Sequence, residues 1–198
     1  MNKKYILFDL DGTLTDTAEG ITKSVQYALE AQGIKEENLD NLTCYIGPPL
    51  DESFQKFHGM TKEQAWEAVE KYRERYKDTG IYETSVIDGM IFVLETLKAA
   101  GKTLALATCK PEPFALKILE HFNLSKYFTV ACGSNLDGTR KYKNEIIEYT
   151  ELIERTISET APNLIKEGGI IKTGFNQEVD EYKKASTEGK TWLLELEQ

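Results

Sequence analysis

Two carboxylates stand one residue apart at the end of a short apolar run near the start of the chain. Asp9 and Asp11 follow Tyr5-Ile6-Leu7-Phe8 and are themselves followed by Gly12-Thr13. Carboxylates at this spacing can bind a divalent cation, or they can serve as nucleophile and acid–base group in a hydrolytic reaction. They can also simply begin a turn, because Asp-Gly is a common turn pair.

A calcium-binding loop also begins with alternating carboxylates, but the sequence excludes it here. Such a loop needs a third acidic residue at its fifth position and a Glu at its twelfth. Counted from Asp9, these positions hold Thr13 and Gly20.

The elements that must position Asp9 alternate between apolar runs and helical patterns. Residues 103–107 form a second apolar run, which ends at Thr108, and residues 128–131 form a third. Amphipathic helices are predicted between the runs, and one of them opens with a capping box, Thr61 with Gln64. The predicted helices occupy the stretch around residues 21–29, which Gly33 closes, and residues 50–58, 61–77, 91–100 and 111–122.

This order predicts an α/β fold with a Rossmann-like parallel sheet, interrupted after its first strand by an inserted helical stretch. In a parallel sheet, functional side chains collect at the carboxyl ends of the strands. Asp9 and Thr108 both occupy such ends. We therefore expect the two side chains to lie close together.

The composition limits the classes of function. The 198 residues carry a net charge of −9, and an acidic chain is expected not to bind nucleic acid directly. No apolar stretch approaches the about 18 residues of a membrane span. Three cysteines (Cys44, Cys109 and Cys132) form no C-x-x-C pair, which favours a reducing, cytoplasmic location.

The stretch from Phe8 to Leu14, Phe-Asp-Leu-Asp-Gly-Thr-Leu, resembles the first motif of the haloacid dehalogenase superfamily of phosphohydrolases. Ala107-Thr108-Cys109-Lys110 is similar to the second motif, in which a strand-end hydroxyl holds the substrate phosphate. Residues 137–143 resemble the loop that supplies the third motif's lysine in phosphoglycolate-phosphatase-like members. Lys143 aligns with that lysine, and Lys141 is its nearby competitor.

The resemblance covers roughly residues 1–150 and implies a division into domains. Residues 1–15 and 85–150 would form the α/β core, and residues 16–84 a helical cap. Residues 46–50, Ile-Gly-Pro-Pro-Leu, are similar to a cap loop of the same subgroup.

The resemblance also implies a chemistry. Asp9 would attack phosphorus and form an aspartyl-phosphate, while Asp11 would protonate the leaving oxygen and later activate water. Mg²⁺ would be the cofactor, held by Asp9 and Asp11 and by the Leu10 carbonyl. Thr108 and Lys143 would hold the phosphate oxygens. The substrate would be a small phosphorylated metabolite, as in phosphoglycolate phosphatases or nucleotidases.

Leu-Asp-Gly-Thr recurs at residues 136–139, but no apolar strand precedes this second copy. Asn135 stands where the nucleophile would be. We interpret the copy as a turn and not as a second active site.

The last quarter of the chain departs from the family. A further strand that ends in a metal-binding acidic motif is missing, and Phe175 stands where its Asp should be; Asp180 is the nearest substitute. The missing strand would leave one side of Tyr5-Ile6-Leu7-Phe8 unpaired, and such an edge invites a homodimer or pairing with Ile170-Ile171.

Residues 151–198 resemble a segment of MutS-type DNA mismatch-repair proteins, with Lys-Glu-Gly-Gly-Ile-Ile-Lys-Thr-Gly at 166–174. The chain is therefore interpreted as a fusion of a truncated phosphatase with a foreign tail. Two alternatives to an active phosphatase remain open: a catalytically impaired fusion or interaction module, and a mismatch-repair accessory protein.

Overall fold

The structure, a computed structural model, describes residues 4–160, and it consists of a small parallel sheet covered by helices. In chain order the strands and helices are β1 (Tyr5–Phe8), β2 (Thr15–Asp16), α1 (Ala18–Ala31), α2 (Leu50–His58), α3 (Lys62–Tyr76), β3 (Ser85–Val86), α4 (Met90–Ala99), β4 (Thr103–Pro111), α5 (Glu112–His121), β5 (Val130–Ser134) and α6 (Lys143–Thr160). Short 3-10 helices lie at Leu39–Tyr45, Gly80–Tyr82 and Ser125–Tyr127.

The main sheet has the order β1-β4-β5, and both pairings are parallel. Its register places Phe8 beside Leu106 and Leu106 beside Ala131. The carboxyl ends of the three strands therefore meet at one edge of the sheet. The predicted α/β fold with a parallel sheet is confirmed.

Strand β1 is less buried than its apolar run predicts. Tyr5 is 39% exposed, and the side chains from Ile6 to Phe8 are half-buried. The physical reason is position, because β4 is the only neighbour of β1 among the residues that the structure describes. The predicted partner Ile170-Ile171, together with Phe175 and Asp180, lies outside those residues.

The helical predictions agree closely with the structure. Helix α1 buries Ile21, Val25, Ala28 and Leu29, as its amphipathic pattern predicts. Helix α3 begins with the predicted capping box between Thr61 and Gln64. The third strand is displaced: it spans Val130–Ser134 and not residues 128–131. Its last two residues, Gly133 and Ser134, give no apolar signal in the sequence.

Helices cover both faces of the sheet. Helix α5 packs against β4 and β5 on one side, while Ile146, Tyr149 and Ile153 of α6 pack against the same strands in a second cluster. Helix α6 runs without a break across the predicted boundary between residues 150 and 151. Ile153 is only 2% exposed, so the core uses residues on both sides of that boundary.

The helices α1, α2 and α3 lie between two very short strands that the sequence analysis did not predict. Strand β2 pairs antiparallel with β3, with Thr15 beside Val86 and Asp16 beside Ser85. This two-stranded ribbon is where the chain leaves the sheet region and returns to it. Among the described residues, no helix is both long enough and apolar enough to cross a membrane.

Candidate active site

The turn after β1 sets the positions of both carboxylates. The Leu10 carbonyl accepts hydrogen bonds from the backbone N–H groups of Thr13, Leu14 and Thr15, at 3.1, 2.9 and 3.1 Å. Gly12 adopts φ of 72°, a left-handed conformation that glycine adopts without strain. The Leu10 carbonyl was expected to be a metal ligand. In the structure that oxygen accepts the hydrogen bonds of the turn.

Asp9 lies at the carboxyl end of β1 and faces Lys143. Its Oδ2 is 2.8 Å from Lys143 Nζ, and its Oδ1 accepts a hydrogen bond of 2.8 Å from the Leu10 N–H. Lys143 Nζ also donates to the Ala107 carbonyl in β4, at 2.7 Å. Both side chains keep substantial exposure, 38% for Asp9 and 41% for Lys143. A substrate can therefore reach this pair from solvent.

Asp11 has a lysine partner that the sequence analysis missed. Lys110 Nζ lies 2.9 and 3.0 Å from the two carboxylate oxygens, and the two side chains are only 4% and 11% exposed. The ammonium also lies 4.9 Å from the ring centroid of Tyr76 in α3. Burial alone would lower the pKa of Lys110, but the Asp11 carboxylate and Tyr76 outweigh it and hold the pKa above its usual value. Lys110 is therefore a buried cation that forms an ion pair with the Asp11 carboxylate.

Thr108 is buried in β4, just beyond the register in which Leu106 lies beside Phe8. Its hydroxyl oxygen accepts a hydrogen bond of 3.3 Å from the Lys110 N–H. Thr108 therefore lies on the strand next to the one that precedes Asp9. The expected strand end at Thr108 is wrong, because β4 continues to Pro111, and the hydrogen-bonded backbone extends past the end of the apolar run.

The two candidate lysines lie in different surroundings. Lys143 is beside Asp9, whereas Lys141 Nζ lies 2.8 Å from both Asp51 Oδ2 and Glu52 Oε1 at the start of α2. Burial would lower the pKa of Lys141, and its hydrogen bonds to the two carboxylates raise it above the usual value. Lys143 is thus the lysine that the fold brings to Asp9.

The second Leu-Asp-Gly-Thr copy forms a turn, as predicted. Asp137 Oδ1 accepts hydrogen bonds from the N–H and hydroxyl of Thr139, at 2.9 and 2.6 Å. The Gly138 N–H donates to the Asn135 carbonyl at 3.3 Å.

A cleft opens beside Asp11, between the inserted helices and the carboxyl edge of the sheet. Its volume is about 90 Å³. It is lined on one side by residues 47–51 and by α3, and on the other by Lys110, Phe114, Ser134, Asn135 and Gly138. The predicted cap loop at residues 46–50 therefore contributes to the wall of this cleft.

The carboxylates suit a magnesium ion in chemistry but form an incomplete set. Asp9 and Asp11 offer the oxygen ligands that Mg²⁺ prefers. Both already have a lysine partner, and within residues 4–160 no group of three or more His, Cys, Asp or Glu side chains converges on one point. The described residues therefore offer two carboxylates to such an ion.

Comparison with known proteins identifies relatives of this arrangement. The family model described as haloacid dehalogenase-like hydrolase matches residues 6–163. A 5'-nucleotidase from Pseudomonas aeruginosa is 51% identical over 144 residues, which are 73% of this chain and 65% of the nucleotidase. A phosphoglycolate phosphatase from Aquifex aeolicus is 35% identical over 138 residues, which are 70% of this chain and 64% of the phosphatase. The chain thus spans less than two thirds of either relative.

Solved structures agree with this likeness. A crystal structure of a predicted phosphatase from Clostridium acetobutylicum superimposes with a TM-score of 0.75 at 45% sequence identity. The superposition covers 77% of this chain and 70% of that protein.

A partial likeness to a different protein is also present. The DNA mismatch repair protein MutS from Lachnoclostridium phytofermentans is 45% identical over 84 residues, which are 42% of this chain and 9% of MutS. The shared stretch is longer than residues 151–198, to which the sequence analysis assigned the resemblance.

Proposed function

Since the chain belongs to the haloacid dehalogenase-like hydrolase family, we propose that it hydrolyses phosphate monoesters of small metabolites. The observation that carries the proposal is the pairing of two carboxylates with two lysines at one sheet edge: Asp9 with Lys143, and Asp11 with Lys110. Carboxylates beside cations suit an anionic substrate, because the cations offset the repulsion between the phosphate and the nucleophile.

In this proposal Asp9 is the nucleophile. One of its carboxylate oxygens forms a bond to phosphorus as the bond from phosphorus to the leaving oxygen breaks, which gives an aspartyl-phosphate. Asp11 gives its proton to the leaving oxygen in that step. It then takes a proton from the water that releases phosphate and regenerates Asp9.

Thr108 and Lys143 are proposed to hold the phosphate oxygens. Support comes from the hydrogen bond of Lys143 to the Ala107 carbonyl, next to Thr108 in β4. Asp9 and Asp11 would hold Mg²⁺, which when bound offsets negative charge on the phosphoryl oxygens. We propose residues 16–84 as the cap, because α2 and α3 line the cleft above Asp11. The free thiols of Cys44, Cys109 and Cys132 support a cytoplasmic location.

The direct test is release of p-nitrophenol from p-nitrophenyl phosphate by the full chain, with Mg²⁺ varied. We expect hydrolysis that requires Mg²⁺ and is half-saturated near 1 mM, which corresponds to about −4 kcal/mol of binding free energy. The weak value is expected because only two carboxylates face the ion among the described residues. The same titration by calorimetry separates binding from turnover.

Two other results would each change the proposal. Micromolar Mg²⁺ affinity would mean that a further carboxylate, such as Asp180, completes the site. Absence of hydrolysis at saturating Mg²⁺ would contradict the phosphatase and favour the alternative, a catalytically impaired fusion that carries a mismatch-repair-derived segment.

We also propose that two copies of the chain associate through the free side of β1. Within the described residues this strand has a partner on one side, and Tyr5 beside it is 39% exposed. An unpaired strand edge is a template for another strand. We therefore expect the molar mass in solution to rise with protein concentration. Over the same concentrations, the β1 amides that point away from β4 are expected to gain protection from hydrogen exchange.

The amides of Leu104, Ala105 and Leu106 in β4 are the internal control, because that strand is paired on both sides. A monomer at every concentration with unprotected β1 amides would refute the dimer. Protected β1 amides in a monomer would instead indicate that another segment of this chain, with Ile170-Ile171 as the candidate, covers the edge.

A further inference from the structure

The wall of the cleft beside Asp11 is largely aromatic and apolar. Trp66, Val69, Tyr72 and Tyr76 all face it from α3, and Phe114 faces it from α5. This spacing along α3 places the four side chains on one face of the helix. Asp11 lies in the cleft wall, whereas Asp9 does not. The cleft is therefore on the side of the site where the leaving group meets its proposed acid.

The indole of Trp66 is held in place by the turn at Gly138. A Cβ atom at Gly138 would lie 2.8 Å from the Trp66 ring, so the absence of a side chain is what lets the ring rest on the turn. The Arg73 guanidinium lies 5.8 Å from the centroid of the same ring. A ring fixed in this way presents a flat surface to the cleft without an ordering cost on binding.

The charges around the cleft are already paired. Three cations line it: Arg73, Lys110 and Lys141. Lys110 is paired with Asp11, and Lys141 lies 2.8 Å from both Asp51 and Glu52. Arg73 is 2.7 Å from Glu70 Oε1 and donates to the Leu136 carbonyl at 2.7 Å. A second anionic group in this cleft would find no unpaired cation among the described residues, and it would face the Asp51 carboxylate.

We infer that the cleft selects an uncharged, ring-bearing leaving group, such as a phenol or a nucleoside, over one that carries a carboxylate or a second phosphate. This inference rests on the proposed phosphatase function, and it specifies the substrate class of that site. The fixed aromatic face favours a planar group. The cations that line the cleft already have carboxylate partners, so a further anion would be buried there without a partner. Burial of an unpaired charge is costly.

The test measures binding and turnover separately, with full-length protein in excess Mg²⁺. Calorimetry compares two phosphonates that cannot be hydrolysed, phenylphosphonate and phosphonoacetate. We expect phenylphosphonate to bind about tenfold more tightly. Turnover of phenyl phosphate and phosphoglycolate is measured in parallel, and phenyl phosphate is expected to give the higher kcat/KM.

A double substitution tests whether the paired charges determine the preference between the two phosphonates. Asp51→Asn with Glu52→Gln keeps the side-chain shapes but frees the Lys141 ammonium, so phosphonoacetate binding should strengthen about tenfold and phenylphosphonate binding should change little. The matched control is Glu63→Gln with Glu67→Gln, two exposed positions on α3 that do not line the cleft. It changes the net charge equally and should leave both affinities unchanged.

The outcomes separate this inference from the proposed function. Equal or tighter binding of phosphonoacetate by the parent protein, or no binding of either phosphonate, overturns the inference even if phosphate is released from some ester. Selective binding of phenylphosphonate without turnover of any ester supports the cleft assignment and contradicts the phosphatase. An equal gain for phosphonoacetate in the control pair would also overturn the inference, because the effect would then come from net charge.

Discussion

Replacing Asp9 with Asn is expected to lower phosphate release by on the order of 10⁴-fold while leaving the protein folded. An amide oxygen is a poor nucleophile and a weak ligand for Mg²⁺, so one substitution removes both proposed roles. Asn keeps an oxygen that can accept the Leu10 N–H bond, so the turn after β1 is preserved. The measurement is the rate of p-nitrophenol release, with thermal unfolding as the check on folding.

The matched control for Asp9→Asn is Asp137→Asn. Asp137 belongs to the second Leu-Asp-Gly-Thr copy, and its carboxylate accepts two hydrogen bonds from Thr139 within a surface turn. We expect its substitution to change turnover by less than about twofold, because removal of a surface charge rarely matters more than that. Turnover by Asp9→Asn close to that of the parent would falsify the nucleophile assignment.

Replacing Lys110 with Met is expected to lower the free energy of unfolding by about 3 kcal/mol. The Lys110 side chain is 4% exposed and the Asp11 side chain 11%, so loss of the ammonium leaves a nearly buried carboxylate without its partner. Met retains most of the apolar stem, which confines the change to the charge. Urea unfolding followed by circular dichroism gives the difference.

The control for Lys110→Met is Lys126→Met. Lys126 also lies over a tyrosine ring, 5.0 Å from the centroid of Tyr127, but it is exposed and has no carboxylate partner within salt-bridge distance among the described side chains. Its substitution should cost less than about 0.5 kcal/mol. The double variant Lys110→Met with Asp11→Asn should recover part of the loss, because no charge is then left unpaired. Equal costs for the two lysine variants would contradict the buried ion pair.

The part of the site that lies next to a strand end was predictable from the sequence. The apolar runs that precede Asp9 and Thr108 predict two buried strands of a parallel sheet, and the structure pairs β1 with β4 in parallel. The choice of Lys143 over Lys141 came only from the resemblance. The structure supports that choice, because Lys143 is the first residue of α6 and reaches back to Asp9.

Contacts between residues far apart in the chain could not be predicted in the same way. Lys110 is 99 residues from Asp11, and Lys141 is 90 residues from Asp51. No local pattern encodes such pairs. The first joins the turn after β1 to β4, and the second depends on where α2 lies relative to the loop after β5. The sequence nevertheless contained one indication of Lys110. It stands two residues after Thr108 in the stretch that resembles the second motif, so it was expected to lie near the site.

Two local features were missed for different reasons. The Leu10 carbonyl was assigned to a metal, whereas the turn after β1 uses it three times, and a turn's hydrogen bonds are not readable from residue types alone. The ribbon of β2 and β3 is only two residues long on each side, too short for any alternation of polar and apolar residues to show.

That ribbon has a consequence for how the protein can change over evolutionary time. Because Thr15 lies beside Val86, the chain departs and returns at adjacent points, and the ends of the insertion are already joined by main-chain pairing. The entropy of closing such a loop grows only slowly with its length. Residues 17–84 can therefore be lengthened, shortened or replaced as one segment while β1 and β4 keep their register. The ribbon thus lets the inserted helices vary separately from the carboxylates and lysines at the sheet edge.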